Sequence, residues 1–584
     1  MDQSSGADMK RHSGQADMKR HSAQANVRRY GAQVVIIGGG ATGVGILRDL
    51  SLRGISALLI EQGDLAHGTS SRFHGLLHSG ARYVVNDPVS AAECIQENLI
   101  LKRIAPNCIE QTNGWFVQVR GDEPDYVEAW LKGCQAVNIP VREIPLQEAL
   151  AQEPLLTKDV LRVFEVPDAA VDGFKLVWDN AKSARRHGGK YLTYHRVTEI
   201  VRAGRRVVGV VGENLLTGEP FAVESSVVVN ATGAWADKVA ATAGASLSVV
   251  SDKGALLAFN RRLFRRVINR LRSPGDGDIF VPHETITIFG TTSEKVATPL
   301  DNQATGSEVQ RLLELGEALR PGITGLRVIR AFAGVRPLHP EEHELTGGSV
   351  NEEGREVSRA FALIDHEAEE GIAGLLSVVG GKFTTYRLMA EKASDWVAAK
   401  LGITAACRTA LEPLLPALPE GLHQEAVALL PCAAAEKLVR RLGEESAEVL
   451  QVIREDPSKG QLLCECEMVT VAEVEKAVAD PDAHHLADVR RKTRLGMGTC
   501  QGAFCTYRAL PLMWREGEKY DPLSQELIRF LNQRWKGIRP VLWGEQLRET
   551  EFARAIYAGL LAFREQENTA MSGSCGSQEK TVEV

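Results

Sequence analysis

"AQVVIIGGGATGVGILRDLSLRGISALLIEQGD", residues 32–64, is the stretch that decides the fold of this chain. It begins with an apolar run from Val34 to Ile37, passes through a glycine-rich turn into a helical pattern, and ends in a second apolar strand before Glu61. The turn has the G-x-G-x-x-G spacing of a dinucleotide-binding βαβ unit, formed by Gly38, Gly40 and Gly43. The stretch therefore predicts an α/β fold with a dinucleotide at the carboxyl edge of a parallel sheet.

Each glycine of this turn has a separate physical task. Gly38 permits the tight turn, Gly40 lets the backbone approach the pyrophosphate, and Gly43 lets the helix pack close to the strand. The helix N-terminus then faces the negative charge. Glu61 can accept the ribose hydroxyls of an adenosine and disfavours a 2′-phosphate. The motif does not separate NAD from FAD, but its place near the start of a long chain favours FAD.

Two further strand–turn–helix patterns are predicted to end at the same sheet edge. The first is "SSVVVNATGAWADKVA" (225–240), with Ala231 and Gly233 in its turn. The second is "GLLSVVGGKFTTYRLMAEKASDWV" (374–397). Its turn holds Gly381 and Lys382, and Thr384 and Thr385 are candidate caps of the following helix. Because ligands sit at the carboxyl ends of parallel strands, both turns are candidate nucleotide contacts.

The composition is typical of a soluble, multidomain protein. The chain has 584 residues, 44% of them hydrophobic and 24% charged, and a net charge of −7. The negative charge argues against a nucleic-acid binder. No apolar run is long enough for a transmembrane helix, and the N-terminus lacks the apolar core of a signal peptide. We therefore expect a cytoplasmic protein.

Four of the ten cysteines are clustered near the C-terminus. "LLCECE" and "LGMGTCQGAFC" place two pairs in the pattern C-x-C…C-x4-C, formed by Cys464, Cys466, Cys500 and Cys505. Such a group indicates a metal. Zinc sites favour C-x2-4-C pairs, 4Fe–4S sites favour tighter runs, and disulfides are rare in reduced compartments. From the residues alone these alternatives, and a site that has lost its metal, remain open.

Several longer motifs resemble one known family. "GTSSRFHGLLHSGARYV" (68–84), "NATGAW" (230–235), "AFAGVRPL" (331–338) and "GGKFTTYR" (380–387) are similar to the FAD-dependent glycerol-3-phosphate dehydrogenases. With the cysteines included, the resemblance is to the anaerobic branch and extends over about residues 33–565. It implies oxidation of glycerol 3-phosphate at C2 to dihydroxyacetone phosphate, with hydride transfer to FAD. It gives no information on an additional FMN.

The resemblance also implies the site residues. His78, Arg82, Arg336 and Lys382 would line the substrate and flavin pocket, Tyr83 would contact substrate, and Thr69 and Ser70 would contact FAD. The two arginines suit bidentate phosphate recognition. His78 is the candidate base, because the unperturbed pKa of histidine lies near neutral pH. Lys382 would stabilise charge on the reduced flavin, while Arg72, His74 and His283 are candidates of second rank.

For the cysteines, the resemblance implies a 2Fe–2S domain of the bacterioferritin-associated-ferredoxin (BFD) type. Such a cluster would pass on singly the two electrons that a reduced flavin holds. "TVAEVEKAVAD" (470–480) predicts a helix capped by Thr470 within this module. The glycine-rich loop can point amides at sulfur, and four basic residues would lower the cost of the cluster's charge: Arg490, Arg491, Lys492 and Arg494.

The predicted architecture is an FAD-binding, Rossmann-like domain of the glutathione-reductase or D-amino-acid-oxidase type. It has an antiparallel-sheet substrate domain and a small helical C-terminal cysteine-cluster domain. The predicted boundaries are a disordered tail (1–30), an FAD-dependent oxidoreductase domain (31–405), a helical linker (406–455), a BFD-like 2Fe–2S domain (456–515), a helical segment (516–565) and a disordered tail (566–584). The FAD-binding parts are about 31–115, 165–240 and 355–400, and the substrate parts about 116–164 and 241–354.

The resemblance implies partners as well. They are a membrane-anchoring C subunit together with a B subunit, so the chain would lie on the inner face of the cell membrane and feed the quinone pool. "NRRLFRRVINRLR" (260–272) reads as a charged helix, either an ordinary surface helix or one that docks on anionic lipid or an acidic partner. An FAD and iron–sulfur component of an amine or opine oxidase is the alternative function. A non-catalytic electron-transfer protein is a further one.

Overall fold

The computed structural model describes residues 27–340, 360–514 and 521–560. Most of the predicted N-terminal tail and all of the predicted C-terminal tail lie outside these residues. The last part of the predicted N-terminal tail is ordered, because the first strand begins at Arg28. Tyr30 in that strand packs edge-on against Phe221 at 6.5 Å between ring centroids, which explains why this stretch is not part of a tail.

The described residues contain 24 strands. They are β1 Arg28–Gly31, β2 Val34–Ile37, β3 Ala57–Ile60, β4 Leu76–Leu77, β5 Ile109–Glu110, β6 Gly114–Val119, β7 Arg142–Glu143, β8 Val160–Val166, β9 Ala169–Val171, β10 Lys190–Leu192, β11 His195–Ala203, β12 Arg206–Asn214, β13 Pro220–Glu224, β14 Val227–Asn230, β15 Val250–Phe259, β16 Val267–Arg270, β17 Ile279–His283, β18 Ile286–Gly290, β19 Glu294–Lys295, β20 Val328–Leu338, β21 Phe361–Asp365, β22 Leu375–Gly380, β23 Leu462–Cys464 and β24 Val469–Thr470.

The same residues contain 17 α-helices. They are α1 Ala41–Leu52, α2 Pro88–Ile104, α3 Tyr126–Ala136, α4 Leu146–Gln152, α5 Gly173–Arg186, α6 Ala236–Thr242, α7 Gly306–Gly316, α8 His366–Glu370, α9 Tyr386–Leu401, α10 Leu422–Leu429, α11 Cys432–Leu442, α12 Ser446–Glu455, α13 Val471–Ala479, α14 Leu486–Thr493, α15 Cys505–Ala509, α16 Asp521–Ile538 and α17 Gly544–Arg554. Within the described part of the chain, none of them is both long and apolar enough to cross a membrane.

A six-stranded sheet forms the centre of the nucleotide-binding half. Its order is β10-β3-β2-β14-β22-β21, with every pair parallel except the last. Apolar side chains of β2 alternate between two cores. Val34 and Ile36 pack with the helices on one face, and Val35 and Ile37 pack against the four-stranded sheet on the other. The three predicted turns therefore follow neighbouring strands at one edge, as the sequence predicted.

A nine-stranded sheet forms the other half of the oxidoreductase domain. Strand β15 is central, since it pairs antiparallel with β18, β19 and β20. The predicted antiparallel sheet of the substrate domain is confirmed, although β16 pairs parallel with β6. Strand β20 brings the G-V-R-P motif, including Arg336, towards the edge of the parallel sheet. The predicted combination of a parallel sheet, an antiparallel sheet and a helical C-terminal part is thus confirmed.

The helix predicted over 260–272 is wrong. The segment forms the short strand β16, which pairs with β6 and β17. All of its large apolar side chains are buried, so it has no lipid-facing stripe. Four of its six arginines form ion pairs with carboxylates of the same domain, for example Arg270 with Asp122 at 2.7 Å. A short mixed pattern of apolar and basic residues fits the period of a helix as well as that of a strand. Here the pairing with β6 and β17 determines that the segment contains a strand.

The C-terminal part contains two small helical cores. Helices α10 to α12 share one, and the cysteine module shares another with α16. Helix α13 begins with the predicted cap, because Thr470 and Glu473 form a reciprocal capping box. Thr385 stands at the cap position of α9, but its hydroxyl donates to the carbonyl of Lys382 instead of capping the helix.

Candidate functional site

A cavity of about 1480 Å³ lies at the carboxyl edge of the six-stranded sheet. The nine-stranded sheet contributes its far wall through Gly334 and Arg336. Most of the predicted site residues line it: Gly38, Gly40, Glu61, Thr69, Ser70, His78, Arg82, Tyr83, Ala231, Gly233, Arg336, Gly381 and Lys382. Gly43 and Thr384 are not among the lining residues, and their contacts show that they support the wall.

The glycine turn has the geometry that an FAD pyrophosphate needs. Gly38 has a φ of +109°, which L side chains rarely adopt. A Cβ on Gly43 would lie 1.9 Å from the carbonyl oxygen of Gly38, so helix and strand approach too closely for any side chain. At Gly40 the nearest atom to such a Cβ is Ser70 Oγ, at 3.1 Å. The backbone of Gly40 therefore faces open cavity at the helix N-terminus, where a phosphate fits.

Glu61 lies at the end of β3 beside this turn. Its carboxylate accepts hydrogen bonds from the N–H of Gly39 at 2.7 Å and of Gly63 at 2.9 Å. Burial raises the pKa of Glu61, and the two N–H groups oppose that effect. A carboxylate held in this way keeps lone pairs for further donors. Its position is therefore compatible with the predicted ribose contact.

The remaining predicted FAD contacts surround the same opening. Ser70 Oγ accepts a hydrogen bond from the N–H of Ala41, the first residue of α1, at 3.0 Å. Thr69 donates its hydroxyl to the carbonyl of Val335 at 2.7 Å and so ties this loop to β20. Gly233 and Gly381 both have positive φ values, +58° and +74°. Their turns need glycine for the backbone to pass close to the cavity.

Arg82 belongs to a triad with a buried carboxylate. Its Nη2 donates to Asp278 Oδ2 at 2.9 Å and to the carbonyl of Gly275 at 3.0 Å. The other carboxylate oxygen accepts from Arg272 Nη2 at 2.9 Å. Two arginines thus share one fully buried aspartate, and the triad keeps a net positive charge. Only Arg82 of the pair lines the cavity.

Arg336 is held by a different set of acceptors. It forms an ion pair with the buried Asp252 and donates to the hydroxyl of Thr291 and, at 3.0 Å, to the carbonyl of Thr292. These bonds fix the plane of the guanidinium at the cavity wall. The carboxylates Asp252 and Asp278 were missed in the sequence, although the acidic turn "PGDGD" (274–278) directly after the arginine-rich segment was a usable signal.

His78 is central among the polar side chains of the wall. Its ring lies 5.6 Å from that of His74 and 5.4 Å from that of Tyr83, and Lys382 Nζ lies 4.7 Å from the Tyr83 ring centroid. The backbone N–H of His78 donates to Thr384 Oγ1 at 3.1 Å, which explains the role of Thr384. Burial, followed by the nearby His74 and Arg82, lowers the pKa of His78 well below its usual value. Its imidazole is therefore neutral at pH 7 and able to accept a proton.

His74 is also neutral, and its tautomer is defined. Its Nδ1 accepts a hydrogen bond from the N–H of Leu76 at 3.1 Å, so a proton on the neutral ring resides on Nε2. Burial, followed by Arg336 and Arg82, lowers the pKa of His74 to about 3. This tautomer makes His74 a poorer candidate base than His78. His283 donates to the carbonyl of His74 at 2.8 Å and supports this loop from behind.

Acid is expected to destabilise the folded chain through His74. Its pKa falls from 6.5 to about 3 on folding, so the unfolded chain binds the proton first as the pH falls. The stabilisation is complete above pH 6.5 and declines towards pH 3, by at most about 1.4 kcal/mol per pH unit. Thermal unfolding midpoints measured between pH 7 and 5 should fall less steeply for His74→Gln than for wild type. The exposed His423→Gln is the control, and equal slopes for all three proteins would contradict the prediction.

The four predicted cysteines come together in the C-terminal module. Their thiols meet in successive pairs, Cys466 with Cys500, Cys500 with Cys505, and Cys505 with Cys464. Hydrogen bonds from Cys466 and Cys505 lower the pKa of Cys500, with help from the N–H groups of its own loop. A hydrogen bond from Cys505 lowers that of Cys464 to about 7. The same hydrogen bonds raise the pKa values of the other two thiols, Cys466 and Cys505. Four thiols in successive contact are the donor set that a four-thiolate cluster needs.

Across residues 27–340, 360–514 and 521–560, no group of three or more His, Cys, Asp or Glu side chains is arranged to hold a single metal ion.

The backbone amides of the cysteine loop point at sulfur, as the sequence predicted. The backbone N–H groups of Gly502 and Ala503 point at Cys500, and those of Gly496 and Glu467 point at Cys464. Amide donors therefore reach thiols from both halves of the C-x-C…C-x4-C pattern.

The predicted role of the basic residues before the loop needs correction. Three of them are committed to carboxylates. Arg491 pairs with Asp64 and Asp488, Lys492 with Asp480, and Arg494 with Asp172 and Glu467. Two of these pairs, with Asp64 and Asp172, join the module to the FAD-binding half. Of the four predicted side chains, only Arg490 makes no ion pair within the described residues.

Comparison with known proteins is consistent with this geometry. The family described as "FAD dependent oxidoreductase" matches residues 33–396, and the "BFD-like [2Fe-2S] binding domain" matches residues 462–513. These matches confirm the predicted FAD and 2Fe–2S cofactors.

Relatives of known name cover almost the whole chain. The A subunit of the anaerobic glycerol-3-phosphate dehydrogenase of Escherichia coli (strain K12) is 42% identical over 92% of this chain and 98% of its own length. The corresponding A1 subunit of Haloferax volcanii is 42% identical over 90% of both chains. The glycerol-3-phosphate dehydrogenase of Bacillus halodurans, solved with FAD, superposes with a TM-score of 0.64 at 22% identity, over 92% of this chain and 99% of that one. That last likeness bears on the fold alone. The chain therefore belongs to the FAD-dependent oxidoreductase family, as an FAD-binding member with a C-terminal [2Fe-2S] domain that groups with the A subunits of anaerobic glycerol-3-phosphate dehydrogenase.

Proposed function

We propose that this chain oxidises glycerol 3-phosphate to dihydroxyacetone phosphate. The observation that supports this most is the wall of the cavity, where Arg82, Arg336 and a neutral His78 face the same space as the FAD-binding turn. A small dianion with a secondary alcohol needs cations at one end and a proton acceptor at the other. The names of the relatives, which are glycerol-3-phosphate dehydrogenases, point to the same substrate.

In this proposal the phosphate binds at the Arg82 triad. The net charge of Arg82, Arg272 and Asp278 is positive, and Asp278 and Gly275 hold the Arg82 fork in place. Arg336 is neutralised by Asp252 in the absence of substrate, so it contributes hydrogen-bond donors in a fixed orientation more than net positive charge. Tyr83 lies between Lys382 and His78 and would contact the bound substrate beside the base.

His78 would accept the proton of the C2 hydroxyl while bound FAD supplies the acceptor for hydride. The low pKa of His78 keeps its imidazole neutral and ready for this step. Lys382 lies at the turn after β22, and its charge would favour the reduced, more negative flavin. Thr384 holds the His78 backbone, so it orients the base without touching substrate.

Electrons would leave through a 2Fe–2S cluster held by Cys464, Cys466, Cys500 and Cys505. The relatives are named as subunits of a larger enzyme. We extend this to partner B and C subunits that receive the electrons, attach the chain to the inner face of the cell membrane and deliver electrons to quinone.

The test is anaerobic bleaching of the bound flavin. Glycerol 3-phosphate should reduce the flavin of the isolated chain, whereas glycerol and glycine should not. Bleaching by glycine or another amine instead would support the alternative, an amine or opine oxidase. If no substrate bleaches the flavin, the chain is an electron-transfer protein without its own oxidation step.

Arg82→Ala is expected to weaken glycerol 3-phosphate binding by about 2–4 kcal/mol, because the buried phosphate of the substrate would lose its cationic partner. Asp278 keeps Arg272 in this variant, so the fold should survive. Arg272→Ala is the matched comparison: it removes the same charge from the triad but no side chain that lines the cavity, so its loss of affinity should be smaller. Affinity is measured by flavin perturbation on titration. An equal loss in both variants would mean that Arg82 is structural.

A further inference from the structure

A row of arginines leads from the substrate cavity towards the cysteine site. Arg72 lines the cavity and donates to the carbonyl of Ala333 on β20 at 3.5 Å. Arg330 lies on the same strand, six residues before Arg336, and helix α16 covers it. A Cβ on Gly537 of α16 would lie 2.7 Å from Arg330 Nε. We name three side chains the arginine cluster: Arg330 on β20, Arg490 on α14 and Arg534 on α16.

The arginine cluster lacks carboxylate ion-pair partners among the residues that the structure describes. Within residues 27–340, 360–514 and 521–560, none of its members forms an ion pair with a carboxylate. The Nε atoms of Arg330 and Arg534 are out of solvent and have no hydrogen-bond acceptor. Arg490 donates to the carbonyls of Leu495 and Gly496, both at 3.2 Å, and lies over the ring of Phe530 at 5.0 Å. Its sequence neighbours Arg491 and Arg494, by contrast, each have two carboxylates.

Part-buried cations without counter-charge are unfavourable in a folded protein. Burial and repulsion by Arg72 and Arg534 lower the pKa of Arg330 to about 10, so it still carries its charge at pH 7. An arrangement of this kind indicates an anionic neighbour. The cysteines are such neighbours: Cys500, ahead of Glu549 and Cys505, stabilises the charged form of Arg534, and Cys505 does so for Arg490.

The geometry also connects Arg490 with the cysteine loop itself. Its two carbonyl acceptors, Leu495 and Gly496, begin the loop, and the N–H of Gly496 donates to Cys464. Arg490 therefore holds its charge at a fixed place relative to a cluster ligand. Arg534 brings charge to the same region from α16, and Arg330 lies close enough to Arg490 and Arg534 to repel both from the FAD-binding half.

We propose that Arg330, Arg490 and Arg534 are positioning residues for electron transfer, whose unpaired charge stabilises the reduced cluster and so raises its reduction potential. This rests on the proposed function, in which the cluster receives electrons from reduced flavin. Oxidation of the alcohol yields two electrons, and the cluster takes them one at a time. Each electron makes the four-thiolate cluster one unit more negative until it passes to the next acceptor, and no proton is required. Net charge is one of the factors that set such potentials.

The experiment is a redox titration of the cluster in the anaerobically prepared full chain, with dithionite and mediators. Arg330→Gln should lower the equilibrium constant for one-electron reduction at least tenfold, a shift of about 59 mV, with iron content unchanged. Arg330→Lys keeps the charge and should keep most of the potential. Arg548→Gln is the control, since it removes the same charge from an exposed side chain on α17.

An unchanged potential in Arg330→Gln with full iron content would overturn the proposal. So would an equal shift in Arg548→Gln, which would show that any charge change suffices. If Arg330→Gln does not fold, Arg534→Gln tests the same charge from another element. Because dithionite replaces substrate, the result does not depend on which alcohol or amine the flavin oxidises. A failed substrate assay and a failed potential shift are therefore distinguishable.

Discussion

Purified Gly40→Val protein is expected to contain no FAD, although it folds. Gly40 has a φ of −76°, which is ordinary for any residue, and a Cβ there would approach only the hydroxyl of Ser70 within 4 Å. The polypeptide itself therefore has room for a small side chain. A bound pyrophosphate leaves no room for that side chain, because it approaches the backbone closely at this position. The loss of flavin should be complete.

Absorbance at flavin wavelengths, set against protein concentration, measures this loss. Gly31→Val is the matched control, since no atom lies within 4 Å of a Cβ at Gly31, and it should retain its flavin. Gly43→Ala should differ from Gly40→Val and from Gly31→Val in its effect on stability. Its Cβ would lie 1.9 Å from the Gly38 carbonyl, so it should lower the unfolding temperature as well as remove flavin. Stoichiometric yellow flavin in Gly40→Val would show that the pyrophosphate lies elsewhere.

Cys500→Ser is expected to remove the iron while FAD stays bound. Cys500 is one of the two inner thiols in the chain of contacts, with Cys466 on one side and Cys505 on the other. Its loss leaves three thiols for a cluster that needs four ligands. None of the cysteines of the module lines the FAD cavity, so the flavin site is not disturbed directly. Reduction of flavin by substrate should remain fast, and transfer to an external acceptor should fail.

Iron analysis and the visible spectrum decide the second prediction. Cys432→Ser on the exposed part of α11 is the control and should keep full iron. A wild-type chain that contains one zinc and no iron after anaerobic preparation would refute the proposed electron transfer through a 2Fe–2S cluster. A Cys500→Ser protein with full iron would remove this residue from the ligand set.

The features that the sequence could predict are those that depend on neighbours in the chain. The roles of Gly38 and Gly43 follow from the backbone of one turn, and the capping box of Thr470 with Glu473 spans four residues. The amides that point at Cys500 come from the next few residues of its own loop. Local chemistry of this kind is readable without a structure.

The features that the sequence could not predict depend on remote pairing. Arg82 and Asp278 are 196 residues apart, and Arg336 and Asp252 are 84 apart. The lack of an ion pair at Arg330 among the described residues is also invisible until β20 and α16 are packed together. For the same reason, the segment 260–272 was predicted as a helix, since its arginines gave no sign that carboxylates from other segments would meet them.

The strand order of the central sheet has a consequence for biosynthesis. Strand β14 pairs with β22, which ends at Gly380, so its edge stays open until most of the oxidoreductase domain has been synthesised. An unpaired edge on a nascent chain is a site for aggregation. The nucleotide-binding edge becomes complete only then, and the four clustered cysteines, within residues 462–513, emerge later still. The nucleotide-binding edge can therefore form before the cysteine module has been synthesised, and a pause in translation between β14 and β22 would leave the edge of β14 unpaired.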